Sequence, residues 1–261
     1  MSGRIEECFK RLKKAKRSAL VTFIMGGDPD LVKSQTLLNR LPAAGADIIE
    51  IGMPFSDPMA DGPAIQAAGL RALASGTNLR SIIKMVKAFR VKDKTTPLIL
   101  MGYYNPIYRY GAGKFCRDAT KAGADGVILV DLPPEEEDEF TWVAKPHGLH
   151  LIRLISPTTD DARLELLEKN ASGFLYYISI AGITGTKSAD SKQLKKRVTH
   201  LKGKSRLPVA VGFGIKTPAQ AAEVAAFSDA VVVGSALVEK ATKSRAAALA
   251  FVTSLRKAID A

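Results

Sequence analysis

The sequence has few cysteines, histidines and aromatic residues, and each scarcity removes a class of protein. Of its 261 residues, two are cysteine, three are histidine and 7% are aromatic. Cys8 and Cys116 cannot form a disulfide scaffold, so we expect both to be buried free thiols in a reducing compartment. No apolar run reaches the roughly 18–20 residues of a membrane-spanning helix. The charged segment 1–16 is also unlike a secretory signal, which leaves a cytoplasmic globular protein as the expectation.

Positive charge is in excess. The chain has 38 Lys and Arg against 26 Asp and Glu, a formal net charge of +12. Such an excess favours an anionic ligand, which could be nucleic acid, an acidic lipid surface or a phosphorylated metabolite. The basic residues concentrate in Lys10–Arg17 and Lys187–Arg206, but neither segment interleaves aromatics or matches a nucleic-acid module. We interpret both as polar faces of surface helices.

Short apolar runs alternate with amphipathic segments along the chain. Each run is rich in Val, Ile or Leu and bounded by Gly, Pro or Asp, which is typical of strands buried on both faces. Eight such strands at intervals of mostly about 22–35 residues favour a (β/α)₈ TIM barrel over an open doubly wound sheet. We expect one domain, residues 1–261. The predicted strands are Ala19–Ile24, Asp47–Ile51, Pro97–Gly102, Gly126–Val130, Leu149–Ile155, Gly173–Ile178, Pro208–Gly212 and Ala230–Gly234.

The segments between the strands have helical spacing. Asp30–Ala44 predicts one helix and Leu79–Phe89 another, and the long interval between the second and third strands indicates a helical insertion. The sequence Ala-Gly-Ala-Asp occurs at Ala44–Asp47 and at Ala122–Asp125, where its glycine suits a helix C-cap. Segment 1–16 predicts an extra helix that closes the bottom of the barrel, with an apolar stripe of Ile5, Cys8, Phe9 and Leu12.

Carboxylates are the best candidates for catalysis. In a barrel, catalytic groups lie at the carboxyl ends of strands and in the following loops. Glu50 interrupts a strand otherwise made of isoleucine, where a carboxylate is costly unless it is paired, protonated or functional. An edge position or a salt bridge to a lysine is the structural alternative. The loop that follows, Pro54–Pro63, is stiffened by prolines and carries Asp57 and Asp61, which could also simply shape turns.

Glycines follow the last predicted strands. Gly212 and Gly214 follow the seventh, and Gly234 follows the eighth, just before Ser235 at a helix start. Backbone N–H groups at such positions bind phosphate. The glycine-rich segment Ile180–Lys187 suits a lid that closes over substrate.

The sequence lacks the residues that several other types of catalysis require. No histidine lies at the carboxyl end of a predicted strand, no lysine lies inside a predicted strand, and no P-loop or dinucleotide fingerprint is present. We therefore expect acid–base chemistry by carboxylates on a phosphorylated substrate, without a metal or organic cofactor in this chain.

The loop after Glu50 resembles the signature of the tryptophan synthase alpha subunit family. Glu50 followed by Pro54–Pro63 matches that family's glutamate and its P-F-S-D-P-x-A-D-G-P motif, and further short matches cover nearly the whole chain. The resemblance implies a TIM barrel that cleaves indole-3-glycerol phosphate to indole and glyceraldehyde 3-phosphate. It also implies a complex of two alpha and two beta subunits, with pyridoxal phosphate in the beta subunit and Asp57 as a coupling residue.

The same resemblance implies roles for individual residues. Glu50 is the expected acid–base, Asp61 the carboxylate that binds the indole N–H, and Thr184 the lid residue that positions Asp61. The indole pocket and the active-site tyrosine are implied at Phe23, Tyr103, Ile128, Tyr176 and Phe213. The phosphate-binding backbone is implied at Gly185, Gly214, Gly234 and Ser235.

Other functions remain open at this point. A related barrel, such as an indole-glycerol-phosphate synthase or a phosphoribosyl isomerase, would share the fold, but the former relies on strand-end lysines and the latter has no need of the loop motif. A non-catalytic module that binds phosphorylated ligands or nucleic acid is the alternative from another class. Salt-dependent DNA binding would favour that module, and tight indole-propanol-phosphate binding would favour the enzyme.

Overall fold

The computed structural model describes residues 3–178, 189–212 and 214–261. Within these residues, helices and strands alternate as the sequence predicts. The strands are β1 (Ala19–Met25), β2 (Ile48–Gly52), β3 (Leu98–Gly102), β4 (Gly126–Leu129), β5 (His150–Leu151), β6 (Arg153–Ile155), β7 (Leu175–Ile178), β8 (Val209–Gly212) and β9 (Ala230–Val233). The α-helices are α1 (Arg4–Lys14), α2 (Leu31–Leu38), α3 (Leu41–Ala44), α4 (Pro63–Ala74), α5 (Leu79–Lys92), α6 (Tyr104–Tyr110), α7 (Ala112–Ala122), α8 (Asp138–Ala144), α9 (Asp161–Glu168), α10 (Ala189–Lys204), α11 (Pro218–Ala225), α12 (Ser235–Lys243) and α13 (Arg245–Asp260).

The strands form one parallel sheet in the order β5-β4-β3-β2-β1-β9-β8-β7-β6. The two ends of this order are neighbours in sequence, because only Ile152 separates β5 from β6. β5 pairs with β4 and β6 pairs with β7, so the two short strands are halves of the fifth predicted strand. The sheet thus closes on itself, and the predicted TIM barrel is confirmed.

Side chains of each strand alternate between two apolar layers. Ile49 and Ile51 of β2 pack with the surrounding helices, whereas Ile48 packs with inward residues of the other strands, such as Val21 and Ile99. Because successive strand side chains point to opposite faces, Glu50 shares the inward face with Ile48. The register of β2 therefore directs a carboxyl into the barrel.

Helix α1 covers the end of the barrel where the strands begin. Its Ile5, Cys8 and Leu12 side chains are buried in the inward layer, and Phe9 is half-buried with its ring centroid 5.8 Å from that of Phe174. The predicted closing helix is confirmed. Cys8 and Cys116 are buried free thiols, also as predicted.

The predicted single helix over Asp30–Ala44 is wrong. The chain forms α2 and then the short helix α3, which begins at Leu41 and has Pro42 in its first turn. Proline has no amide hydrogen, and its ring collides with the carbonyl four residues earlier, so α2 ends at Leu38. The predicted insertion between the second and third strands is confirmed by α4, which precedes α5.

The two Ala-Gly-Ala-Asp sequences fold alike. Gly45 and Gly123 end their helices at φ values of +113° and +104°, a region that favours glycine. Asp47 accepts from the Leu20 amide at 3.0 Å, and Asp125 accepts from the Leu98 amide at 2.8 Å. Each aspartate also binds a buried arginine, Arg256 or Arg90, at 2.8 and 2.7 Å respectively.

No helix in the described ranges is long and apolar enough to span a membrane.

Candidate active site

Glu50 is fully buried and has no local partner. Its relative exposure is 0%, and neither carboxyl oxygen has a hydrogen-bond partner within the described residues. It lies on β2 between Phe23 of β1 and Ile99 of β3. The structural alternative, an edge position or a lysine salt bridge, does not hold for this part of the chain.

Burial changes the acidity of this group. Removal from water disfavours the charged carboxylate and raises the pKa of Glu50 from 4.5 to about 8. Among the residues that the structure describes, no positive group stands near enough to oppose the rise. A carboxyl with such a pKa is protonated at neutral pH and can still release its proton there, which suits an acid that must also act as a base.

Tyr176 stands beside Glu50. Its side chain packs on the inward apolar layer, and its pKa lies well above its ordinary value because of burial and, secondly, the charge of Glu50. The glycine at Gly212 makes room for it, since a Cβ there would lie 2.6 Å from the Tyr176 ring and 2.8 Å from its hydroxyl oxygen. Because real Cβ atoms do not approach so closely, glycine is required at this strand end.

Apolar residues form the wall near Glu50. Phe23 is 5% exposed, and its ring lies against Gly52, where a Cβ would come within 2.6 Å of the ring edge. Ile128 is fully buried in the inward layer. A Cβ added to Gly234 would lie 3.6 Å from the Cβ of Phe23, which is an ordinary van der Waals contact. The predicted positions Phe23 and Ile128 thus lie on strands of the barrel that holds Glu50 and Tyr176, and Gly234 directly follows β9.

The loop after β2 brings a second carboxyl to the same end of the barrel. The Asp61 amide donates to the Pro58 carbonyl at 3.1 Å, and the Asp61 carbonyl accepts from the Gln66 amide group at 2.9 Å. Burial raises the pKa of the Asp61 carboxyl, and the neighbouring Tyr103 hydroxyl partly opposes the rise. Asp61 therefore makes its turn-forming contacts through its backbone, whereas its carboxyl interacts with the Tyr103 hydroxyl.

Tyr103 holds this loop to the barrel. Its hydroxyl accepts from the Ala60 amide at 2.9 Å, and its ring lies 5.3 Å from that of Phe55. Burial raises the pKa of Tyr103. The hydroxyl thus contacts the residue directly before Asp61, which links the end of β3 to the position of that carboxyl.

The predicted phosphate-binding positions follow two paired strands. Gly234 and Ser235 lie at the start of α12, where the free amides of a helix N-terminus favour anions. Gly214 follows β8, with a φ of +62° that favours glycine. Three predicted residues, Thr184, Gly185 and Phe213, lie outside the described residues, as does the predicted lid Ile180–Lys187.

Sequence reasoning missed some residues that line this end. Met101 packs against both the inward layer and the cluster around Phe23, and Gly52 supplies space for the Phe23 ring. Their signal was available: each is an inward position near the carboxyl end of a predicted strand. Within the described ranges, no group of three or more His, Cys, Asp or Glu side chains is arranged to hold a metal ion.

A closed parallel barrel, with a buried and unpaired carboxyl at its centre and helix amides at the strand ends, defines the class: this is a TIM-barrel enzyme. Comparison with known proteins narrows the class. The family model for the tryptophan synthase alpha chain matches residues 9–259. The chain therefore belongs to the tryptophan synthase alpha chain family.

Solved structures agree. The tryptophan synthase alpha subunit of Legionella pneumophila str. Paris is 44% identical, with a TM-score of 0.93 and coverage of 100% of this chain and 99% of that one. A chain from Aquifex aeolicus VF5 is 38% identical, with a TM-score of 0.92 and coverage of 98% and 99%. A chain in the open form of tryptophan synthase from M. tuberculosis is 32% identical, with a TM-score of 0.91 and coverage of 99% of each.

The activity follows from this membership. The chain is a lyase of tryptophan biosynthesis that cleaves indole-3-glycerol phosphate to indole and glyceraldehyde 3-phosphate, as the loop motif indicated. The related barrels and the non-catalytic module are thereby set aside.

Proposed function

We propose that Glu50 and Asp61 carry out the cleavage together. Glu50 gives its proton to C3 of the indole ring, and the ring becomes a cationic indolenine. The carboxylate of Asp61 accepts the indole N–H and stabilises the positive charge that develops there, a charge absent from the ground state. Glu50, now ionised, takes the proton of the glycerol hydroxyl as the carbon–carbon bond breaks. The bond's electron pair returns to the ring and the aldehyde is released.

The observation that supports this proposal is the isolation of Glu50. Its carboxyl is fully buried without a partner in the described chain, and its pKa is about 8. A carboxyl with no function in such a place would only destabilise the fold, because its desolvation is not offset by a hydrogen bond or an ion pair. A group that must exchange a proton twice in one reaction benefits from a pKa near the working pH.

The remaining positions hold the substrate. The backbone amides at Gly185, Gly214, Gly234 and Ser235 bind the phosphate, with the N-terminus of α12 favouring its charge. Phe23, Tyr103, Ile128, Tyr176 and Phe213 enclose the ring, and Thr184 in the lid positions Asp61. Anchoring the phosphate orients the ring, which lowers the entropic cost of reaching the transition state.

Assays of indole release test the two carboxyls. Glu50→Gln and Asp61→Asn preserve side-chain size, and each should lower kcat about 10²–10⁴-fold, the usual contribution of a positioned acid or base. Glu165→Gln is a matched control, because it removes an exposed carboxyl on α9. Near-wild-type turnover in both active-site variants would remove the assignment.

We further propose that the chain works in an α₂β₂ complex with a beta subunit that holds pyridoxal phosphate. The solved relative from M. tuberculosis is described as tryptophan synthase. On this chain, Met59 in the loop after β2 is 79% exposed and Tyr108 on α6 is 61% exposed, both at the carboxyl end of the barrel. We infer that these exposed apolar side chains form part of the surface that contacts the beta subunit. Asp57, also exposed in this loop, is the proposed coupling residue.

Stimulation by the beta subunit measures this contact. Met59→Asp places a charge in the proposed interface and should weaken the apparent affinity for the beta subunit by about tenfold or more. The rate of the isolated chain should stay the same. Val91→Asp is the control, since Val91 on α5 is 73% exposed and lies outside the loop. Equal stimulation of wild type and Met59→Asp would contradict the interface. The cytoplasmic location stays a prediction.

A further inference from the structure

A cavity lies at the opposite end of the barrel from Glu50. We name it the amino-end cavity, because its walls come from the end of α1 and from the segments that lead into β8 and β9. Its volume is about 440 Å³, within the range of sites that bind small molecules. None of the residues that line it has a role in the cleavage reaction.

Cations dominate the wall of the amino-end cavity. Its charged residues are Lys13, Lys16, Arg17, Lys202 and Arg206, against the single carboxylate of Asp229. Lys202 binds Asp229 at 2.8 Å, and Arg17 binds Asp260 at 2.9 Å. Lys13, Lys16 and Arg206 form no ion pair with any residue that the structure describes. Three uncompensated cations therefore face one small space.

The backbone at Lys16 is unfavourable for lysine. Its φ is +52°, and it is the one non-glycine residue with positive φ in the described ranges. The Lys16 amide donates to the Lys13 carbonyl at 3.1 Å, and the Arg17 amide donates to the Leu12 carbonyl at 3.0 Å. These two bonds form a helix-ending motif whose left-handed position is usually glycine. The carbonyls at the end of α1 favour nearby cations, but they do not account for lysine at the position that suits glycine.

Part of the lining of the amino-end cavity is apolar. Phe9 and Leu12 of α1 contribute to this apolar lining together with Leu207, Pro208 and Ala225. A site for an inorganic ion alone needs no such wall. Cations beside an apolar surface fit a molecule that has both a charged end and a ring or hydrocarbon body.

We propose that the amino-end cavity binds a small organic phosphate about the size of a nucleoside diphosphate. Lys13, Lys16 and Arg206 contact the phosphate groups, and Phe9 and Leu207 contact the apolar body. Local strain kept at one residue is typical of functional positions, and here it places the Lys16 side chain on the cavity wall. The site is separate from the one that holds the substrate phosphate, because the two lie at opposite ends of the barrel.

Calorimetry with the full chain at low ionic strength tests this site, with ADP as the probe. One ADP should bind per chain, about tenfold more tightly than inorganic diphosphate, because only ADP can use the apolar wall. Saturating indole-propanol phosphate occupies the active site and should leave ADP affinity unchanged. Added salt should weaken ADP binding, since the cations are exposed.

Two variants separate binding from folding. Lys13→Gln/Arg206→Gln should weaken ADP binding about tenfold. Lys16→Gly should weaken it about threefold while leaving Tm equal or higher, because glycine relieves the backbone. The control Lys84→Gln/Lys87→Gln removes the same charge as the double variant from α5, and it should bind ADP like the wild type. Indole release should be the same in all of them.

Three results would overturn the proposal: no saturable ADP binding, competition by indole-propanol phosphate, or an equal loss of affinity in the α5 control. Equal affinities for ADP and diphosphate would overturn the part that concerns the apolar body.

Discussion

Glu50 has no hydrogen-bond partner in the part of the chain that the structure describes, so ionisation of its buried carboxyl destabilises the folded state. In the unfolded chain the carboxyl is in water and has its ordinary pKa of 4.5, whereas in the fold the pKa is about 8. Below the lower value the group is protonated in both states, and its neutral form is buried at little cost. As the pH rises toward 8, the unfolded state loses its proton first, so folding stability falls.

Stability measured against pH should reveal this group. Between about pH 5 and 8, wild-type stability should fall relative to Glu50→Gln by about 1 kcal/mol per pH unit. Above pH 8 the difference should level off, because Glu50 is then ionised in both states. Denaturant unfolding of both proteins at matched pH values measures it. A difference that does not vary with pH would mean that Glu50 has its ordinary acidity.

A catalytic role for Glu50 could be predicted from the sequence, because a carboxylate within a run of isoleucines is visible in a few neighbouring residues. The Tyr103 contact with Ala60 was not readable, because the two lie 43 positions apart. The buried ion pair of Arg153 with Glu137 was missed for the same reason. Partners distant in sequence become visible only when the chain has closed.

Helix and strand boundaries follow from local patterns wherever local chemistry sets them. Most predicted strands match to within a residue or two, since Gly, Pro and Asp stop the apolar runs. The break at Ile152 has no such signal: the residue is apolar and β-branched, yet its neighbours pair with strands on opposite sides. The closure of the barrel imposes that break. Pro42, by contrast, was visible, and its effect on the end of α2 was overlooked.

The start of helix α5 tests how much a local capping residue contributes to stability. Asn78 caps its start, accepting from the amides of Arg80 and Ser81 at 3.1 and 3.2 Å. Asn78→Ala should lower the free energy of unfolding by about 1 kcal/mol, because these amides lose their acceptor. Arg80→Ala, on the exposed first turn, should change it much less. Denaturant unfolding compares the two, and equal effects would show that the cap contributes little.

The barrel is fastened at several points where strands begin. Asp125 accepts from the Leu98 amide and binds Arg4 of α1 and Arg90 of α5, each at 2.7 Å. It joins the closing helix, an outer helix and two strands through one carboxylate. The repeated Ala-Gly-Ala-Asp sequence indicated the glycine cap, but the arginines come from distant segments that no local pattern connects.

Removal of the Asp125 carboxylate should therefore destabilise the whole barrel. Asp125→Ala should lower the free energy of unfolding by about 3–5 kcal/mol, since it removes the closest carboxylate from the buried Arg90 guanidinium and leaves only Asp93, at 3.9 Å, as its ionic partner. Asp118→Ala on α7 is the control, because its ion pairs with Lys114 and Arg117 are at the surface, and its loss should cost about 1 kcal/mol or less. Unfolding in urea measures both. A cost for Asp125→Ala no larger than that of the control would mean that the barrel does not depend on this fastening.

The described chain begins and ends on one side of the barrel. Arg4 at the start of α1 reaches Asp125 just before β4, and Asp260 at the end of α13 reaches Arg17 just before β1. A tether attached at either end of the described chain would lie on the side of the barrel where the strands begin, and it would leave the active-site side unobstructed. Enzyme fixed to a solid support through such a tether should still admit substrate and still receive a partner protein.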